Sequence, residues 1–175
     1  MGNVQLIFVL ETNKQCDSDW LYIKEAIRHY YVIDNTSVKL SVVYMESKTR
    51  FNHRKVLKEI ENLKRKYSYG KSVVIYCVDT DKYMSDPNDL ALTNKIKDFC
   101  TDNQFEFVFF CEDIEQVFLD KSVSSNTKKK EAVSFVRNGS INDISRNKFL
   151  SNKMLRGHSN LFSVIDSINA LSLKD

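Results

Sequence analysis

Two aspartates, Asp79 and Asp81, sit one residue apart at the end of the apolar run "SVVIYCV" in the stretch "YCVDTDKY". Glu11 directly follows another apolar run, "VQLIFVL", and Glu112, Asp113 and Glu115 follow a third, "FEFVFF". Carboxylates gathered at neutral pH repel one another, and unless a cation neutralises them one takes up a proton. Carboxylate oxygens with water suit Mg²⁺ or Mn²⁺, which keep several waters and use few protein ligands. Such an ion lowers the pKa of a bound water and stabilises charge on a phosphoryl oxygen. The competing reading is turn chemistry, because Asp is a common turn residue and Asp81 could serve as a cap. If strand geometry persists, the alternate spacing points the Asp79 and Asp81 side chains the same way.

The elements that position these residues follow from periodicity. "VQLIFVL" (Val4–Leu10), "VKLSVVYM" (Val38–Met45), "SVVIYCV" (Ser72–Val78) and "FEFVFF" (Phe105–Phe110) are apolar runs of strand length, suited to strands covered on both faces. Between them lie helical patterns. Trp20, Ile23, Ile27 and Tyr30 mark one, with Asp17 or Ser18 placed to cap it. Val56, Ile60 and Leu63 mark a second over Asn52–Tyr67. Leu92, Ile96 and Phe99 mark a third, with Asp86 as cap and Pro87 at its first position. A fourth is expected from about Asp113 to Leu119. Strand and helix alternate four times, and right-handed crossovers make this an α/β fold: a mainly parallel four-stranded sheet with helices on both faces. In such sheets functional groups gather at the carboxyl ends of the strands. Glu11, Asp79, Asp81, Glu112, Asp113 and Glu115 all fall on that edge.

The apolar spacing weakens beyond residue 121, where short helices are expected around Lys129–Val136 and Leu161–Leu171. We read residues 1–120 as an α/β core and 121–175 as a basic, mostly helical extension packed on the same domain. Residues 1–120 hold 16 Lys/Arg against 19 Asp/Glu, and residues 121–175 hold 10 against 4, so a slightly acidic body carries a basic tail. That asymmetry suits a polyanion held near a metal, or simply a solvated face. Cys16, Cys77, Cys100 and Cys111 lack CxxC pairing and read as free thiols. "VQLIFVL" is too short to span a bilayer and has neither basic flank nor cleavage site, so the expectation is a cytoplasmic protein without membrane contact.

The order of these motifs resembles the TOPRIM domain, the catalytic α/β module of type IA and type II topoisomerases, bacterial-type primases and OLD-type nucleases. "VLET" with Glu11 and "VDTD" with Asp79 and Asp81 stand where that family carries a glutamate after its first strand and Asp-x-Asp after its third. "CEDIEQVFL" is similar to the D-I-E-x-x-L stretch of small phage-defence-associated TOPRIM proteins and OLD-type proteins, with Asp113 and Glu115 matching. The resemblance covers roughly residues 4–120. It departs from the family at Tyr83, where topoisomerases usually carry a third acid, and at Thr12 and Asn13, where a glycine usually follows the glutamate.

The resemblance implies a Mg²⁺- or Mn²⁺-dependent nuclease that hydrolyses phosphodiesters of DNA or RNA. Glu11 would be general acid/base or metal ligand, Asp79 and Asp81 would hold the metal, and Glu115 with Asp113 would complete the site. A defence-system effector of this type would be controlled by a separate ATPase or sensor, since the chain has no Gly-rich phosphate loop. A homo-oligomer is compatible with this reading. Lys128, Lys129, Lys130, Arg137, Lys153, Arg156 and His158 are the candidate phosphate contacts in the basic extension. The missing glycine motivates the alternative, a catalytically degenerate module that binds nucleic acid or a protein partner without cleavage. A receiver-like regulator would need a lysine after a fifth strand, and no convincing fifth strand is seen.

Overall fold

The computed structural model describes residues 3–174; the first two residues of the expected core and the last of the expected extension lie outside the described residues. Four strands, β1 (Val4–Leu10), β3 (Val38–Tyr44), β4 (Lys71–Asp79) and β5 (Glu106–Phe110), form one all-parallel sheet in the order β3-β1-β4-β5. Four helices follow them along the chain: α1 (Ser18–Tyr30), α2 (Arg54–Lys66), α3 (Pro87–Asp102) and α4 (Ile114–Leu119). The α/β class and the parallel four-stranded sheet expected from periodicity are therefore present.

β1 and the centre of β4 are apolar and buried because helices cover both faces, whereas the edge strand β3 alternates, with Lys39 exposed. Successive side chains alternate between two cores. Leu6, Phe8 and Leu10 of β1 with Ile75 and Cys77 of β4 point toward α1 and α4, while Ile7 and Val9 with Val74, Tyr76 and Val78 point toward α2 and α3. Gln5 is a fully buried exception. Its amide donates to Ser41 Oγ at 2.9 Å on β3 and accepts from Ser72 Oγ at 3.0 Å on β4, which satisfies it across three strands.

The segment beyond residue 120 contributes α5 (Lys128–Arg137), two 3₁₀ turns (Ser140–Asp143 and Arg146–Phe149) and α6 (Leu161–Ile168). Phe135, Phe149, Phe162 and Ile165 join the core beneath α1 and α4. Residues 158–160 also cover the open edge of β5. Ser159 Oγ donates to the Phe109 carbonyl at 2.6 Å, Asn160 brackets Phe107 and Phe109 with two bonds of 2.9 Å, and the Cys111 amide donates to the His158 carbonyl at 3.0 Å. A parallel sheet otherwise leaves such an edge free to pair with another chain.

Three local expectations are corrected. Asp17 stands at the α1 N-cap position but in a left-handed conformation (φ 54°) with no capping bond, because its carboxylate accepts from the Tyr44 hydroxyl. The last helix stops at Ile168, where Asn169 turns left-handed (φ 53°), rather than at Leu171. A two-stranded antiparallel ladder, β2 (Tyr31–Val32) with β6 (Ser172–Leu173), was not expected. The Asp86 cap and Pro87 start of α3 are as expected, with Asp86 Oδ1 accepting from the Asn88 amide at 2.8 Å.

Candidate active site at the carboxyl edge of the sheet

The connection from β1 leads to β3 on one side, and that from β4 leads to β5 on the other. The strand order reverses between β1 and β4, and the crevice beyond their carboxyl ends is where open α/β sheets bind ligands. Glu11 follows β1 there and Asp79 ends β4. Leu10 pairs with Cys77, so the two acids emerge nearly level, and Glu11 Oε1 accepts from the Asp79 amide at 2.8 Å. Asp79 Oδ1 accepts from the Ile114 amide at 3.0 Å, at the entrance to α4.

These carboxyls are half-buried at the sheet edge, and each charge acts on its neighbours. Burial raises Glu11 to a pKa of about 8 against the pull of the Asp79 amide and Lys48, with Asp19 and Asp81 adding to the rise. Asp79 is pushed well above the usual range by burial, then by the Glu11 and Asp19 charges. Asp19, in the first turn of α1, is raised by burial although Lys128 and the Ser18 hydroxyl favour its anion. Asp19 was absent from the residues singled out by sequence.

The remaining predicted ligands are not gathered with this trio. β4 ends at Asp79, and Asp81 is left-handed (φ 48°), so the two-residue alternation does not persist and the two aspartates do not point the same way. The Asp81 carboxylate pairs with Lys48, which also lies 3.5 Å from Asp89 and donates to the Asp79 carbonyl at 3.3 Å. Lys48, only 8% exposed, comes from the 3₁₀ turn Lys48–Arg50 after β3. Burial opposes its charge, but Asp81 and Glu11 outweigh that and raise its pKa. Asp113 is the N-cap of α4, accepting from the Gln116 amide at 2.6 Å.

Glu115 is fully buried, with one oxygen 2.9 Å from Lys128 Nζ and the other, Oε1, without a partner among the described residues. Burial raises its pKa despite Lys128. Among the described residues, no group of three or more His, Cys, Asp or Glu side chains is arranged to hold a metal ion. The expected five-residue ligand set is therefore not assembled. Glu11 and Asp79 remain a carboxylate pair of the size that Mg²⁺ accepts when waters and phosphates complete its shell.

The predicted phosphate contacts divide in the same way. Lys128 turns inward to Glu115, Lys129 donates to the Gln15 carbonyl at 2.5 Å beside the β1–α1 loop, and Arg156 lies 3.2 Å from Glu112. The His158 ring contacts the Arg156 carbonyl. Lys130, Arg137 and Lys153 are exposed. A cleft of about 650 Å³ opens between the Asp81–Asp89 loop and Glu112–Asp113, with Arg156 at its rim. The Tyr83 hydroxyl ties the segment before α3 to the Met154 carbonyl. All four cysteines are free thiols, and no helix among the described residues is long and apolar enough to cross a membrane.

No family model, curated protein or solved structure matches the chain.

Proposed function

We propose that the protein is a metal-dependent phosphodiester hydrolase acting on nucleic acid, with Glu11 and Asp79 at its centre. The observation that carries this reading is the placement of half-buried Glu11 and Asp79 at the strand-order switch point, joined by the bond from the Asp79 amide to Glu11 Oε1, with the Asp19 charge near enough to raise both pKa values. A fold tolerates desolvated, mutually repelling carboxyls at a cost, and such groups cluster where chemistry is done.

Glu11 and Asp79 would hold Mg²⁺ or Mn²⁺, and the ion when bound supplies Lewis-acid stabilisation of a phosphoryl oxygen and a more acidic water. Glu11, with its pKa raised to about 8 in the metal-free protein, keeps its proton at neutral pH and would release it on taking its place as a ligand. Lys48 and Lys128 flank the pair and offset anionic charge in a water-poor setting. Arg156 and Lys129 at the rim would position the backbone without reading sequence.

One observation favours the second reading, a module that binds without cleaving. Asp81, Asp113 and Glu115 each already have a protein partner, which is how a site looks when its carboxylates have become structural.

Calorimetric titration of the wild type and Asp79→Asn with Mn²⁺ and Mg²⁺, alone and with a non-cleavable oligonucleotide, separates the two. The hydrolase reading expects binding that Asp79→Asn abolishes, followed by cleavage of unmodified oligonucleotides. Silence of the wild type in both titrations gives the site to the binding module.

A further inference from the structure

A groove of about 750 Å³ lies away from the carboxylates, along the outer edge of β3. Because β3 pairs only with β1, its other edge is free. The helix α1 runs beside it and presents Trp20, Lys24 and Arg28 at intervals of four, one face of the helix. The groove between them is lined by four cations, Lys24, Arg28, Lys39 and Lys174, drawn from α1, β3 and the chain just beyond β6. Among the described residues no carboxylate lines it.

Among the described residues none of Lys24, Arg28 and Lys39 makes an ion pair with a carboxylate. Asp34, the acid beside the rim, is turned into its own loop by Thr36 and Ser37. Like charges are kept in such a row at an electrostatic cost that a polyanion would remove.

The groove also carries an exposed ring. Tyr69 is 66% exposed although aromatic, and it rests on Tyr67 with ring centroids 4.4 Å apart. Lys39 Nζ lies 5.8 Å from the Tyr67 centroid. An aromatic platform beside a file of cations is the pairing used for single strands, whose unstacked bases offer a π-face while their phosphates take the charge. A duplex would hide its bases from Tyr69.

We propose that this groove binds a single-stranded polynucleotide, with phosphates on Lys24, Arg28 and Lys39 and a base stacked on Tyr69. From Arg28 to Trp20 the helix face runs ~12 Å at the α-helical rise. It ends one residue from Asp19, so a strand followed in that direction arrives at the carboxylate edge. That continuation rests on the hydrolase reading; the binding itself needs no metal.

Fluorescence anisotropy of a labelled oligothymidylate in EDTA tests the proposal. The wild type is expected to bind with an affinity falling with salt at a slope of about −2, three phosphates being neutralised at the single-strand coefficient. Tyr69→Ala is expected to weaken binding about tenfold, and Lys39→Ala and Arg28→Ala several-fold each. Tyr69→Phe should retain affinity, and Lys97→Ala, an exposed lysine on α3, should change nothing. Melting curves establish that the surface variants fold.

Indifference of the oligonucleotide to Tyr69→Ala and Lys39→Ala would overturn the proposal, as would equal affinity for a duplex or equal competition by polyglutamate. The Mn²⁺ titration of Asp79→Asn decides the hydrolase reading separately, so loss of either leaves the other standing.

Discussion

The two faces of the sheet bury different things. Beneath α2 and α3 the core is Ile7, Val9, Val43, Val56, Ile60, Val74, Val78 and Ile96 around an aromatic group of Phe51, Tyr76, Phe99 and Phe105. Its large polar side chains are settled, the Tyr76 hydroxyl donating to the Phe51 carbonyl at 2.9 Å and the Gln5 amide bonding Ser41 and Ser72; the small Thr93 hydroxyl is left over among the described residues. Beneath α1, α4, α5 and α6 the aromatic chain Tyr22, Phe118, Phe149 and Phe162 is just as dense. Yet that side also takes in Glu115, Lys128 and Asp19, and leaves the Tyr22 hydroxyl, Glu115 Oε1 and Arg146 Nε without partners. One face supplies stability chiefly from apolar area, with its larger polar groups paired. The other gives up some stability to hold charge in a dry place, and the candidate site lies at its upper rim.

The largest test of that contrast is Lys128→Met. With Glu115 fully buried, loss of its only cation leaves an uncompensated carboxyl, at a cost of about 3–5 kcal/mol near pH 8. The sign with pH is fixed by the raised Glu115 pKa. The unfolded chain releases its proton first as pH rises, so the variant is weakest in base and recovers toward pH 5. Ile60→Ala on the other face should cost about 2–5 kcal/mol from transfer and cavity terms, with no such pH dependence. Urea unfolding of both variants at pH 5 and pH 8 compares them directly. Parallel pH profiles would mean that the two faces do not differ as described.

A smaller effect of opposite sign is expected from Glu11→Gln. Glu11 titrates near pH 8 when folded and near 4.5 when unfolded, so wild-type stability without metal falls as pH rises through that window. Glutamine cannot ionise, and its carbonyl can still accept from the Asp79 amide. At pH 8 the variant should be more stable by about 2 kcal/mol after allowing for solvent at the edge, roughly 4–8 °C in Tm. It should also lose Mn²⁺ binding. A stabilised variant with no metal response is the signature of an active-site residue held at the expense of the fold. A destabilised one would make Glu11 a structural cap of β4.

β1 and β4 were readable because burial on both faces makes each a nearly continuous apolar run, and β1 has the bounds expected of it. The rule for carboxyl ends then located Glu11 and Asp79 at the switch point. Asp81 was misread for a local reason: a single left-handed residue after the strand ends breaks the alternation, and nothing in "VDTDKY" announces it. Lys48 escaped because "SKTR" has no periodicity, and its role comes from reaching across to the β4 loop. Asp19 looked like one more acid in a helix's first turn, where it suits the dipole anyway. The β2–β6 ladder joins residues some 140 positions apart with two residues a side, too short to leave a pattern.

The finest distinction concerns how the C-terminal segment is held against the carboxyl edge. Two kinds of contact do it: the exposed pair of Arg156 with Glu112, 71% and 39% accessible, and the buried bonds of Ser159 and Asn160 to β5. Arg156→Ala should change stability by less than about 0.5 kcal/mol, because solvent screens the pair and side-chain entropy offsets it. Ser159→Ala should cost about 1–3 kcal/mol. Its hydroxyl donates to the Phe109 carbonyl and accepts from the Leu161 amide at 3.1 Å, so both groups would be stranded in the interior. Chemical denaturation of the two variants, read with hydrogen exchange at Phe109 and Cys111, orders these contacts. A larger loss from Arg156→Ala would mean that charge docks the segment, and salt would then loosen the rim of the candidate site. The expected order makes the rim a fixed wall, leaving Arg156 free to meet a phosphate without unfastening what holds it there.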